Sequence, residues 1–87
     1  MTEMLMVFSA FANADDAARV VRTLVEERLI ACGNLLPGVR SLYRWEGKVA
    51  DQSEVMVLMK TRKQDWTALI SRLHELHPYR TPECIAV

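Results

Sequence analysis

Apolar and polar positions along the 87 residues follow two different periods, and the places where one gives way to the other mark the elements. Residues 4–8, Met-Leu-Met-Val-Phe, are a continuous apolar run ending at Ser9-Ala10, which predicts a short strand buried on both faces. Asn13-Ala14-Asp15-Asp16 then offers an N-cap and puts two carboxylates in a first helical turn, where the helix dipole favours them. Ala17, Val20, Val21, Leu24 and Val25 follow at i, i+3, i+4, i+7 and i+8, with Arg19, Arg22, Glu26 and Glu27 between them, so one face packs and the other is wet.

After Leu29 the helical period is lost. Ile30-Ala31-Cys32-Gly33-Asn34-Leu35-Leu36 reads as extended chain, and Pro37-Gly38 interrupts it as a bend or bulge. Val39, Ser41, Tyr43 and Trp45 then alternate with Arg40, Leu42, Arg44 and Glu46, the period of a strand whose aromatics share one face. Glu46-Gly47 fits a tight hairpin turn, because glycine accepts the positive φ that such turns need. The returning strand is weak over residues 49–53 and clear over residues 54–60, an apolar run between Glu54 and Lys60. Thr61-Arg62-Lys63-Gln64 has the form of a capping box, and Trp66, Leu69, Ile70, Leu73 and Leu76 repeat at helical spacing up to about His77. Pro78 and Pro82 oppose further helix and place a last strand over residues 83–87.

The predicted order is strand, helix, strand, strand, helix, strand: an α+β domain of split βαβ type spanning residues 1–87. Right-handed crossovers put both helices on one face of an antiparallel sheet. The opposite face then needs a cover, which a second copy of the chain supplies at least cost; a polar, water-facing sheet is the competing reading. The long hairpin from Val39 to Lys60 is expected to reach a neighbour.

Composition narrows the function. Apolar residues make up 51% and charged residues 25%, the balance of an ordinary globular domain. Eleven basic side chains against eleven acidic ones leave no basic excess for nucleic acid or an anionic membrane. The apolar start is too short to span a bilayer, which needs about 20 residues, and it lacks the basic opening of a secretory signal. A cytoplasmic protein is therefore expected, with Cys32 and Cys84 as free thiols. No Gly-rich phosphate loop, G-x-S-x-G elbow or H-E-x-x-H pair is present, so an enzyme is not expected.

Four segments occur in a telling order: Leu29-Ile30-Ala31-Cys32-Gly33-Asn34, the stretch from Pro37 to Lys48, Lys60-Thr61, and His77-Pro78-Tyr79-Arg80-Thr81-Pro82-Glu83. Together they resemble the CutA family of divalent-cation tolerance proteins over nearly the whole chain. The resemblance implies a ferredoxin-like subunit, a homotrimer with sheets meeting at the threefold axis, and long hairpins that pair across subunits. Family members usually run past the segment matching Ile85-Ala86-Val87 into a further stretch and a short helix, so here edge or interface surface is expected to be less covered.

The resemblance also implies site residues. His77, beside Pro78, transfers as a metal ligand, and Cys32 as a soft donor suited to copper; the reading of each as packing or helix-end residue stands beside it. Some copper-linked members carry a cysteine at the end of the first strand and a second histidine before the His-Pro-Tyr segment, where this chain has Ser9 and Leu76. His74 forms an H-x-x-H pair with His77. A second constellation, Trp45, Glu54, Lys60, Tyr79 and Glu83, with Tyr43, resembles the lining of a cleft between CutA subunits that would hold a small anionic ligand. The first expected function is a trimeric copper or divalent-metal binding protein without organic cofactor. The alternative is a sensor of small ligands, similar to the PII regulators in fold and assembly.

Overall fold

The computed structural model of the protein describes residues 3–87. Strand β1 (Met4–Phe11) leads to helix α1 (Ala14–Glu26), strands β2 (Cys32–Trp45) and β3 (Lys48–Arg62), helix α2 (Trp66–Leu76) and strand β4 (Ile85–Ala86). The four strands form one antiparallel sheet in the order β2-β3-β1-β4. This is the βαββαβ arrangement that the two sequence periods predict.

Alternation along the strands sorts the core from the open face. Val7, Ser9 and Phe11 of β1 register with Met59, Val57 and Val55 of β3, and all six side chains are buried. They pack beneath Val20, Val21 and Leu24 of α1 and Leu69 and Leu73 of α2. Fully burying an aliphatic side chain contributes about 1.5–3 kcal/mol, so this layer is what holds the domain. The other parity, with Met4, Met6, Leu36 and Ile85 all about half exposed, forms an apolar sheet face that none of the described elements covers.

Local chemistry fixes the ends of the elements. The Asn13 carboxamide oxygen accepts the Asp16 N–H at 2.8 Å and starts α1 as expected. The β2–β3 turn holds Glu46 and Gly47 at φ of 50° and 76°, the paired left-handed geometry of a two-residue hairpin. Between Leu36 and Val39 the pairing slips by one residue at Pro37-Gly38, which is the expected bulge. Beyond it the hairpin leaves the body as an arm, giving a molecule 44 Å long and 23 Å across.

Three boundaries differ from expectation, and one is the last strand, which is Ile85–Ala86 rather than residues 83–87. β1 runs on to Phe11, because Ala10 and Phe11 still pair with Met56 and Val55. The Thr61 capping box does not form: Thr61 is buried inside β3 and its hydroxyl donates to the Leu29 carbonyl at 2.7 Å. A single 3-10 turn, Lys63–Asp65, intervenes before α2, with no side-chain cap.

Candidate functional site at the root of the hairpin

The segment after α2 crosses the end of the sheet where β1 stops and the arm begins. His77 is the last residue of the helical turn, its N–H bonded to the Leu73 carbonyl, and its backbone turns extended ahead of Pro78. That exit drives the imidazole inward, where it is buried and stacked on Phe11 with ring centroids 4.1 Å apart. Its Nε2 lies 2.8 Å from the Ala10 carbonyl oxygen, and its Nδ1 lies 3.1 Å from the Tyr79 amide nitrogen. A carbonyl can only accept and an amide N–H can only donate, so Nε2 carries the proton and Nδ1 is the acceptor. Burial holds the ring below the usual histidine range, partly offset by the bond to Ala10.

Tyr79 continues the chain of contacts. Its hydroxyl donates to Glu54 Oε2 at 2.8 Å. Burial first, and then this carboxylate, push the phenol well above its ordinary value, so it remains a donor at any physiological pH. Glu54 sits on β3 one residue past the last β1 partner and is itself buried. The resulting line runs from the Ala10 carbonyl through the His77 ring and the Tyr79 backbone and hydroxyl to Glu54.

Of the residues predicted for the ligand cleft, the chain brings only Glu54 and Tyr79 together. Lys60 lies six residues along β3 from Glu54, and Lys48, the pairing partner of Trp45, six residues in the other direction, each step about 20 Å of strand. Glu83 is exposed on the segment leading to β4. Strand parity puts residues 48, 54 and 60 on one face, the same face that carries the uncovered apolar side chains.

The two predicted metal donors are also separate. Cys32 pairs with Lys60, which pairs in turn with Met6, four residues up β1 from Ala10. As folded, His77 has both ring nitrogens engaged and no lone pair left for a cation. Among the described residues no group of three or more His, Cys, Asp or Glu side chains stands close enough to hold a metal. His74 is exposed on α2. Ser9 lies on the helix side of β1, its hydroxyl buried with no partner among the described residues, and Leu76 packs against the core. Cys32 and Cys84 are both free, and burial raises the Cys84 thiol.

Sequence reasoning missed the Ala10 carbonyl and the Phe11 ring as partners of His77. A backbone acceptor leaves no trace in the sequence, but a carboxylate opening an apolar run, as Glu54 does, is a signal that a specific partner awaits it.

The βαββαβ order, the 2-3-1-4 antiparallel sheet and the extended β2–β3 hairpin define a ferredoxin-like α+β domain. The profile of one family, described as CutA1 divalent ion tolerance protein, matches residues 5–87. The divalent-cation tolerance protein CutA of Pyrococcus horikoshii is 44% identical over 84 residues, 97% of this chain and 81% of that protein. That of Thermus thermophilus is 43% identical over 87 residues, 100% of this chain and 82% of its own length. The crystal structure of CutA from Xylella fastidiosa superposes with a TM-score of 0.95 at 44% identity, covering 99% of this chain and 83% of that one. This chain belongs to the CutA1 divalent ion tolerance family. Among the described residues no helix is long and apolar enough to cross a membrane.

Proposed function

We propose that the protein acts in divalent-cation tolerance as a homotrimer that binds a cation, with copper the first candidate, and that it works by binding rather than turnover. One observation carries the reading: Cys32, registered with Lys60, and Trp45, registered with Lys48, share the uncovered sheet face yet stand about 40 Å apart along β3. A site made of them requires the arm of one copy to lie over the body of another. The need for a second copy comes from that spacing and from the exposed apolar face; the number three comes from the family resemblance. Cys32, half-buried on this face, is the soft donor suited to Cu(I), whereas His77 supports the fold around the site. Two free thiols fit a reducing compartment, and we place the protein in the cytoplasm.

Sedimentation equilibrium together with Cu(I) titration tests the reading. A three-chain species that binds copper, with affinity lost in Cys32→Ser, is expected. A folded single chain, or undiminished affinity in Cys32→Ser, overturns it.

A second reading has its own support. Lys60 is exposed and has no ion pair among the described residues, which suits a small anion held at the seam with Glu54, Tyr79 and Glu83 and covered by Trp45. Quenching or protection of Trp45 fluorescence by a small anion, abolished by Lys60→Ala, favours this sensor role over metal binding.

A further inference from the structure

Residues 77–87 are attached to the sheet at few places, and one of them depends on a single proton. From the end of α2 the chain crosses the mouth of the sheet and closes on the free edge of β1 through a strand of only two residues. There Ala86 and Ile85 pair with Val7 and Phe8, and Val87 exchanges both backbone hydrogen bonds with Met6, at 2.8 and 3.0 Å. Among the described residues the other hydrogen-bonded attachments are the His77 ring and the Tyr79 hydroxyl on Glu54, and Cys84 and Ala86 add apolar packing against the core.

The ring is specified at both nitrogens by groups that cannot exchange roles. The Ala10 carbonyl demands a proton on Nε2, and the Tyr79 N–H demands a lone pair on Nδ1. Only the neutral Nε2–H form satisfies both. A second proton, on Nδ1, would meet the Tyr79 N–H head on, removing an acceptor and setting two donors against each other inside a buried site.

We propose that His77 is a proton-operated latch: neutral, it clamps the 78–84 strap and with it β4 onto the sheet, and protonated, it releases the Tyr79 backbone and lets strap and strand detach. Release uncovers the β1 edge at residues 6–8 and frees Glu54 from the Tyr79 hydroxyl. It does not dismantle the β1–β3 pairing or the helix layer, which share no hydrogen bond with the ring beyond Ala10.

The groups around the ring set the balance. Asp16 from α1 and Glu54 from β3 favour the cation, as does the stacked face of Phe11 from β1; His74 from α2 opposes it, and Tyr79 in the strap stays neutral. Desolvation outweighs the favourable charges, so the buried ring takes up its second proton less readily than a free one. The latch is therefore closed at neutral pH and opens only at a pH more acidic than that at which a free imidazole takes up its proton. This inference stands independently of the cation or anion reading, because it concerns only contacts within one chain.

The test is NMR on the full chain. Ring 15N shifts near neutral pH should show the Nε2–H tautomer. From about pH 8 down through the range in which the ring titrates, amide exchange at Tyr79 and Val87, corrected for its intrinsic rate, should rise roughly tenfold or more, while amides of the β1–β3 ladder such as Val57 stay protected. His74→Gln should leave the response intact, and His77→Asn, which can donate and accept without titrating, should flatten it. An Nδ1–H tautomer, or strap protection that does not change across the titration of the ring, overturns the proposal; these wild-type measurements decide the matter even if His77→Asn fails to fold.

Discussion

Val21 on α1 occupies the space that a side chain at Gly33 on β2 would need: a Cβ on residue 33 would lie 2.5 Å from Val21 Cγ1. The backbone at Gly33 is ordinary strand, so the requirement for glycine is one of close approach between helix and sheet and not of unusual dihedral angles. Gly33→Ala should therefore destabilise the protein by about 1–3 kcal/mol, the range for overpacking a filled core. Val21→Ala alone also costs stability by opening a void. The double variant should cost less than the sum of the two, because each change relieves the other. Urea denaturation of the four proteins measures the coupling, and strict additivity would show that α1 simply moves away.

Thr61 illustrates a polar group used inside the core. Its hydroxyl satisfies the Leu29 carbonyl in the turn that returns α1 to the sheet. Thr61→Val keeps the shape and orphans that carbonyl, for an expected loss of about 1–3 kcal/mol. Hydrogen exchange should report the damage locally, at the Ala31 amide, whose N–H bonds the Lys60 carbonyl beside it.

Ser9 presents the opposite case. Its hydroxyl is buried against the helix layer with no hydrogen-bond partner among the described residues. Ser9→Ala removes a desolvated donor at almost no cost in volume and should raise stability, by about 1 kcal/mol or more. An increase in the denaturation midpoint at unchanged m-value is the expected result; a decrease would mean that the hydroxyl has found a partner.

Arg72 of α2 grips both carboxylate oxygens of Glu27 just past α1, at 2.8 and 2.7 Å, and tethers the two helices. The guanidinium holds the Glu27 carboxyl below the ordinary carboxylate range. The folded state thus binds the proton less readily than the unfolded state, and the stability from this pair is complete above the unfolded pKa and vanishes as pH falls through the folded one. Arg72→Gln should flatten that part of the acid limb of the stability profile, and added salt should mute the difference because both groups are accessible. Midpoints measured at pH values from neutral to well below the carboxylate range provide the check.

The residues that were legible in the sequence are those whose signal is local and repeated. The 3.6 period of Ala17, Val20, Val21 and Leu24, the Glu46-Gly47 turn and the break at Pro37-Gly38 each specify their structure through nearest neighbours. Thr61 misled because four residues with the right chemistry for a cap also suit the end of a buried strand, and the Leu29 carbonyl, far away in sequence, decides between them. The apolar run predicts too short a β1 because the small side chains of Ser9 and Ala10 resemble the end of a strand, although their backbones still pair with β3. The site was only half visible. Composition and resemblance picked out His77, Tyr79 and Glu54, but the direction of the imidazole follows from the extended backbone before Pro78 and from a main-chain carbonyl at Ala10. The separation of Trp45 on β2 from Glu54 and Lys60 on β3 likewise becomes apparent only with the register in hand.

The one-residue slip between Leu36 and Val39 has a further effect on the arm. Ahead of it, even-numbered side chains of β2 accompany Met56 and Leu58; after it, odd-numbered ones accompany Glu54 and Gln52. Strand side chains alternate sides at every step, so that single surplus residue is what aims Tyr43 and Trp45 toward the flank shared with Glu54 and sends Arg40, Leu42 and Arg44 to the reverse. Pairing that ran on from Leu36 without the slip would put Arg40, Leu42 and Arg44 on that flank instead, presenting guanidinium groups where the indole and phenol now project. Which chemistry the protein extends to its surroundings is thus decided by a parity count at the base of the lever, far from the tip that would meet them.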